Sequence, residues 1–232
     1  MRKKLTLTLA GFILLVGCAL LLYAPVNQWL EGRRQSEVCA AYADATNGMD
    51  DSAMEQELRK ARRYNRNLSD SVALSDPFKA PENTDTTDYD ALLRGNRDGV
   101  MAYIESPKIS VSLPVYHGVS SNVLNKGVGH LPETSLPVGG ESTHTVLAGH
   151  SGMSHARLFT DLPKLEIGDE FYIHVYGKTM RYKVDQIKKV QPWNTTDLNI
   201  IEGQDYVTLL TCVPIAVNSH RLLVRGVRTD NS

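Results

Sequence analysis

Cys212, His150 and Arg221 are the residues whose types and settings could do chemistry together. The segment Tyr206-Val207-Thr208-Leu209-Leu210-Thr211-Cys212 is apolar and must stop as a strand by Pro214, so Cys212 falls at a strand end beside a loop. A thiolate so placed could attack a carbonyl carbon, although a lone cysteine on an apolar strand is more often a packed small hydrophobe. Thr145 to Ala148 has the same form and delivers His150 into a turn flanked by Gly149 and Gly152. That setting suits a general acid or base, and equally a hydrogen-bonded turn residue. Arg221 opens the strand that follows the loop from Val213 to His220. A hairpin across that loop sets Arg221 beside Cys212, where a guanidinium would favour thiolate or steady a developing oxyanion. Arg225 and Arg228 lie well along the ladder, at about 3.3 Å per residue, while His220 is a local competitor to His150.

His144, His150 and His155 lack the i, i+4 helical spacing of zinc hydrolases, and no paired cysteine motif exists. The sequence therefore predicts no catalytic metal and no cofactor. With 25 basic and 26 acidic residues the formal charge is -1, which supplies no field to gather phosphate backbones, so nucleic acid is excluded as a partner class. Cys18, Cys39 and Cys212 are too scattered for a disulfide framework, and Cys39 reads as a small apolar helix residue.

The elements that must hold these residues begin with an anchor. Met1-Arg2-Lys3-Lys4 precedes an uncharged run from Leu5 to Ala24, about the ~20 residues that cross a bilayer as a helix, and Pro25 is expected to end it. The leading positive charge predicts a cytoplasmic N-terminus, Trp29 at the outer interface and everything downstream outside. Leu15-Val16-Gly17-Cys18 has the look of a lipoprotein signal. The apolar stretch continues through Leu22, however, longer than a signal-peptide core, so a retained anchor is the reading. Residues 27–67 predict one or two exposed helices, broken at Gly48 to Ser52, with Asp51 or Ser52 capping the second. A Ser-, Asp-, Thr- and Pro-rich linker or flap follows, marked only by Asp76-Pro77-Phe78.

Beyond Gly99 the texture changes to short apolar segments separated by Gly and Pro: Lys108 to Leu113, Phe171 to Tyr176, Met180 to Val184, Tyr206 to Cys212 and Arg221 to Val227. Gly177-Lys178 is the expected hairpin turn, and one helix-like turn is expected near Ala156 to Phe159. Closely spaced strands predict an all-β barrel or sandwich, and 232 residues at 42% hydrophobic composition can bury one such core.

Thr145-Val146-Leu147-Ala148-Gly149-His150 and Thr208-Leu209-Leu210-Thr211-Cys212, followed by Asn218-Ser219-His220-Arg221-Leu222-Leu223-Val224-Arg225-Gly226, together closely resemble the sortase family. The likeness extends through Gly127 to Leu131 and Thr134 to Gly140, and so covers about Gly99 to Arg228. It implies a sortase-type eight-stranded β-barrel with short helices, preceded by an N-terminal helical segment and a lid loop. It also implies catalysis by Cys212, His150 and Arg221 on a cell-wall sorting signal of the Leu-Pro-x-Thr-Gly type. Asp76-Pro77-Phe78 looks like the lid of class C, the pilus-building sortases, whose acidic residue approaches the arginine and whose ring covers the cysteine. The chain would then divide into a cytoplasmic tip and anchor (1–26), a helical segment (27–67), a lid loop and linker (68–98) and a catalytic barrel (99–229). Expected partners are pilins or surface proteins bearing the signal, an acceptor pilin lysine or wall peptide, and the membrane through a single N-terminal anchor.

Val213, Ile215 and Ala216 depart from the Thr, Tyr and Gly common after the nucleophile in that class, which bears on substrate preference. Leu131-Pro132-Glu133-Thr134-Ser135 mimics the sorting signal but lies inside the barrel segment and reads as structure. Three functions are distinguished: a pilin-polymerising transpeptidase, a wall-anchoring or hydrolytic sortase, and a non-enzymatic pilus or surface subunit.

Overall fold

The computed structural model describes residues 2–68, 74, 76–79, 87–95 and 98–229, with side chains from residue 9 onward except at residue 87. Helix α1 runs unbroken from Arg2 to Asn47, with Pro25 inside it. Pro25 therefore does not end the helix as expected. Proline forfeits one bond to the carbonyl four residues back, but extending a helix already nucleated is favourable, and apolar spans tolerate the loss. Among the described residues α1 is the one helix long and apolar enough to cross a membrane.

The second half of α1 is not the exposed helix its polar composition suggested. Gln35, Cys39, Tyr42 and Thr46 recur every three or four residues and are all buried. Tyr42 Oη donates to the Met101 carbonyl at 2.9 Å and accepts from the Tyr176 N–H at 3.2 Å, riveting the helix to the barrel. Helix α2 (Asp51–Asn67) is capped by Asp50, not by Asp51 or Ser52: its carboxylate accepts from the Ser52 N–H at 3.0 Å. Leu58, Ala61 and Asn65 form its buried face. The Asn65 amide exchanges two hydrogen bonds with the Leu136 backbone, at 3.1 and 2.7 Å.

Eight strands follow: β1 (Val100–Ser106), β2 (Val111–His117), β3 (Val128–His130), β4 (Thr143–Ala148), β5 (Glu170–Val175), β6 (Lys178–Val190), β7 (Asp205–Val213) and β8 (His220–Arg228). Two short helices accompany them, α3 (Thr87–Asp90) and α4 (Ser121–Lys126). The strands close into a barrel in the order β1-β2-β3-β4-β7-β8-β6-β5. The pairs β2/β3 and β4/β7 are parallel and the rest antiparallel. Closure removes the free edges that would invite pairing with another chain. Inside, Ile104, Leu147, Phe171, Leu209 and Val224 are completely buried.

Two local expectations shift. β2 begins at Val111 because Pro107–Ile109 forms a 3-10 turn closed by Ser110 at φ 51°, so Lys108 and Ile109 are not strand residues. The β5–β6 turn is Tyr176-Gly177, one residue earlier than expected, with φ 45° and 71° and with Val175 paired to Lys178. Positive φ at both central positions is what a two-residue type I′ hairpin needs. The helix-like turn near Phe159 is present as a turn running into a 3-10 segment at Leu162–Lys164. The signal-like stretch from Leu131 is structural: Leu131, Thr134 and Ser135 are buried, and the Ser135 N–H donates to the His144 carbonyl at 3.0 Å.

Candidate active site

Strand pairing brings the three chemical residues to one end of the barrel. β4 and β7 run parallel with Ala148 opposite Leu210, so His150 and Cys212 leave their strands at the same level. Antiparallel pairing of β7 with β8 sets Cys212 directly opposite Arg221. Side-chain hydroxyls stitch the two strand ends: Thr211 Oγ1 donates to the Gly149 carbonyl at 2.7 Å and Ser151 Oγ to the Cys212 carbonyl at 2.6 Å. Gly149 is required by close approach, because a Cβ there would lie 2.7 Å from the Phe159 ring. Ser151 and Thr211 carry no signal in the sequence beyond a hydroxyl residue beside each strand end.

Asp76 and Phe78 reach the same place. Arg221 donates from Nε to Asp76 Oδ1 at 2.8 Å and from Nη2 to Oδ2 at 2.6 Å, a forked ion pair whose side chains are 5% and 8% exposed. Its Nη1 donates to the Asn218 and His220 carbonyls at 2.9 and 3.1 Å. The Phe78 ring lies 5.4 Å from the His150 ring, centroid to centroid, and 5.2 Å from the Arg221 guanidinium carbon. Phe78 also packs on a buried cluster that includes Leu131, Val146 and Leu210. Pro77 occupies the turn between Asp76 and Phe78, in which the Lys79 N–H donates to the Asp76 carbonyl at 2.9 Å.

Burial pushes the Cys212 thiol up, Arg221 pulls it down, and Asp76 pushes it up again, with the net shift upward. Burial lowers His150, and His155 adds to that shift. Both shifts work against the charged forms, so burial favours thiol over thiolate at Cys212 and neutral imidazole over imidazolium at His150. No hydrogen bond joins His150 to Cys212 among the described residues. The other candidates are engaged elsewhere: Arg225 pairs with Asp185 at 2.6 Å, Arg228 with Asp205 at 3.4 Å, and His220 bonds to Gln191 and Ser219. Cys39 is buried, which raises its thiol to about 11 and leaves it inert.

Fold and site together define a closed β-barrel protein with a thiol, an imidazole and a guanidinium at the ends of three adjacent strands. The Sortase domain family model matches residues 104–229, more than half the chain, and the chain belongs to the sortase family. It is similar to the crystal structure of sortase C-1 from Actinomyces oris, with 47% identity over 77% of this chain and 99% of that one and a TM-score of 0.73. It is similar too to sortase C1 of group B Streptococcus pilus island 1, with 40% identity over 85% and 93% of the two chains and a TM-score of 0.78. Sortase A of Bacillus anthracis is 31% identical over 129 residues, 55% of this chain and 59% of that protein, so the chain spans less than two thirds of that relative's length.

Proposed function

We propose that this chain is a pilin-polymerising transpeptidase, held at the outer face of the membrane by α1, with Cys212 as nucleophile. Cys212 Sγ attacks the carbonyl carbon of the sorting signal's Thr, the peptide bond to the following residue breaks, and a thioester forms. His150 takes the Cys212 thiol proton as the attack proceeds, gives it to the leaving amine, and later takes one from the incoming pilin lysine, whose nitrogen displaces the thiolate and forms the new amide. Arg221 holds the substrate backbone or the oxyanion. Asp76 and Phe78 form a lid that must leave first, since Asp76 occupies the donors Arg221 would turn to substrate.

The observation that carries this reading is the pairing of Cys212 with Arg221 while Arg221 is forked to Asp76. The 40–47% identity to sortases C, against 27–31% to sortases A and D, supports the pilus class over wall anchoring. Incubation with a pilin bearing a Leu-Pro-x-Thr-Gly signal tests it. Covalent ladders are expected from the wild type and none from Cys212→Ala. Wall-peptide adducts or free cleaved protein in place of ladders would assign the wall-anchoring or hydrolytic reaction, and no product would leave a non-enzymatic subunit. Arg221→Lys keeps the charge but loses the fork, and should slow thioester formation about 10²–10³-fold, as removing an oxyanion donor does; rapid-quench trapping of the acyl-enzyme measures it.

A further inference from the structure

We infer that the barrel end carrying Cys212 rests on the lipid surface, with Ile215 and Val217 of the β7–β8 loop seated in the headgroup layer. The inference rests on the reading of α1 as a membrane anchor, and two contacts in series and one exposed apolar pair carry it. Gln28 Nε2 of α1 donates to the carbonyl of Met153, three residues past His150, at 3.2 Å. Gly152, next to Met153, is packed so closely by Ile215 that any side chain there would collide with it. Ile215 and Val217 are nevertheless 48% and 68% exposed, two large aliphatic side chains turned to solvent at the mouth of the site.

Helical rise sets the depth. At about 1.5 Å per residue Gln28 lies roughly 6 Å beyond Ala24, the last residue of the apolar run, while the headgroup layer on each side of the hydrocarbon is about 5–8 Å thick. The loops around His150 and Cys212 therefore lie at headgroup depth. Trp29, 59% exposed and with the Arg33 guanidinium 5.2 Å from its ring, belongs at that level. Trp193, 78% exposed, lies three residues past Val190, which pairs with Arg221, and so marks the same barrel end.

The test uses the full chain reconstituted in phosphatidylcholine–phosphatidylglycerol vesicles whose acyl chains carry bromine, in a Trp29→Phe, Trp193→Phe background. Val217→Trp places a single reporter in the loop, Ile215→Trp is a second, and Glu202→Trp reports from the opposite barrel end. Blue-shifted, largely quenched emission from the loop reporters, with unshifted and unquenched emission from Glu202→Trp, is the expected result. If the chain floats with the vesicles but the loop reporters behave like Glu202→Trp, the inference is wrong and the anchor stands. If the chain does not float, the anchor reading fails and the inference falls with it.

Discussion

A buried thiol between a guanidinium and a carboxylate is tuned by which of the two is nearer. Burial sets the Cys212 thiol high, Arg221 pulls it down, and Asp76 offsets part of that pull. Asp76→Asn removes the negative charge, so the thiol should titrate at lower pH and react faster with iodoacetamide at neutral pH; Phe78→Ala should raise the limiting rate at high pH by opening access, and by relieving burial should lower the titration as well. Alkylation rate against pH separates the two, and identical profiles in both variants and the wild type would remove the lid from the proposed mechanism. Two other histidines act on stability. His130 donates from Nε2 to the Ser135 carbonyl and accepts at Nδ1 from Tyr89, and burial lowers it to about 3. His144, donating to the Asn199 carbonyl and accepting from Thr208, is lowered by burial to about 4. Unfolded imidazole titrates near ~6.5. Below that value the unfolded chain binds protons the fold refuses, so their stabilisation is complete above ~6.5 and is lost as pH falls toward the folded values. Urea unfolding should show this as a slope of ~1.4 kcal/mol per pH unit for each group, and His130→Gln should flatten the profile by one proton.

The elements differ in how far sequence could foresee them. The β7–β8 hairpin is legible because only the eight residues from Val213 to His220 separate two apolar runs, which makes antiparallel neighbours of them, and Cys212 opposite Arg221 follows from that. His150 is brought to Cys212 by the parallel pairing of β4 with β7, about sixty residues apart, for which local pattern offers no signal; only the joint motif pointed to it. The helix ends misled for a different reason. Pro25 and Asp50 are settled by what their neighbours do, the first by a helix already propagating and the second by which carboxylate reaches the Ser52 N–H. Ile109 and Ser110 fit a period-two pattern yet form a turn, since Pro107 presets its first dihedral. The rivet at Tyr42 makes a test at this scale. Tyr42→Phe leaves the Met101 carbonyl and the Tyr176 N–H without their partner and should destabilise the fold by about 1–3 kcal/mol, while Tyr42→Ala also opens a cavity and should cost about 3–5 kcal/mol. Chemical denaturation of the detergent-solubilised chain checks both, with earlier proteolysis near α1 as the accompanying sign of its release.

At the scale of the whole molecule, the ion pair between Asp76 and Arg221 has a consequence for how the enzyme meets its substrate. Asp76 is joined to α2 nine residues after Asn67 and to α3 eleven residues before Thr87, so it cannot diffuse away. On the proposed reading it is a competitor for Arg221 present at a fixed local concentration, of ~mM order for a short tether, that no dilution lowers. The apparent Michaelis constant for a soluble peptide then carries the lid's closing constant as a multiplying factor, while turnover at saturation is untouched. A substrate confined to the same bilayer escapes most of that handicap, because confinement gives it a high local concentration of its own. Peptide assays in free solution and pilin assays on vesicles should therefore rank lid variants differently, with the wild type gaining most from the membrane.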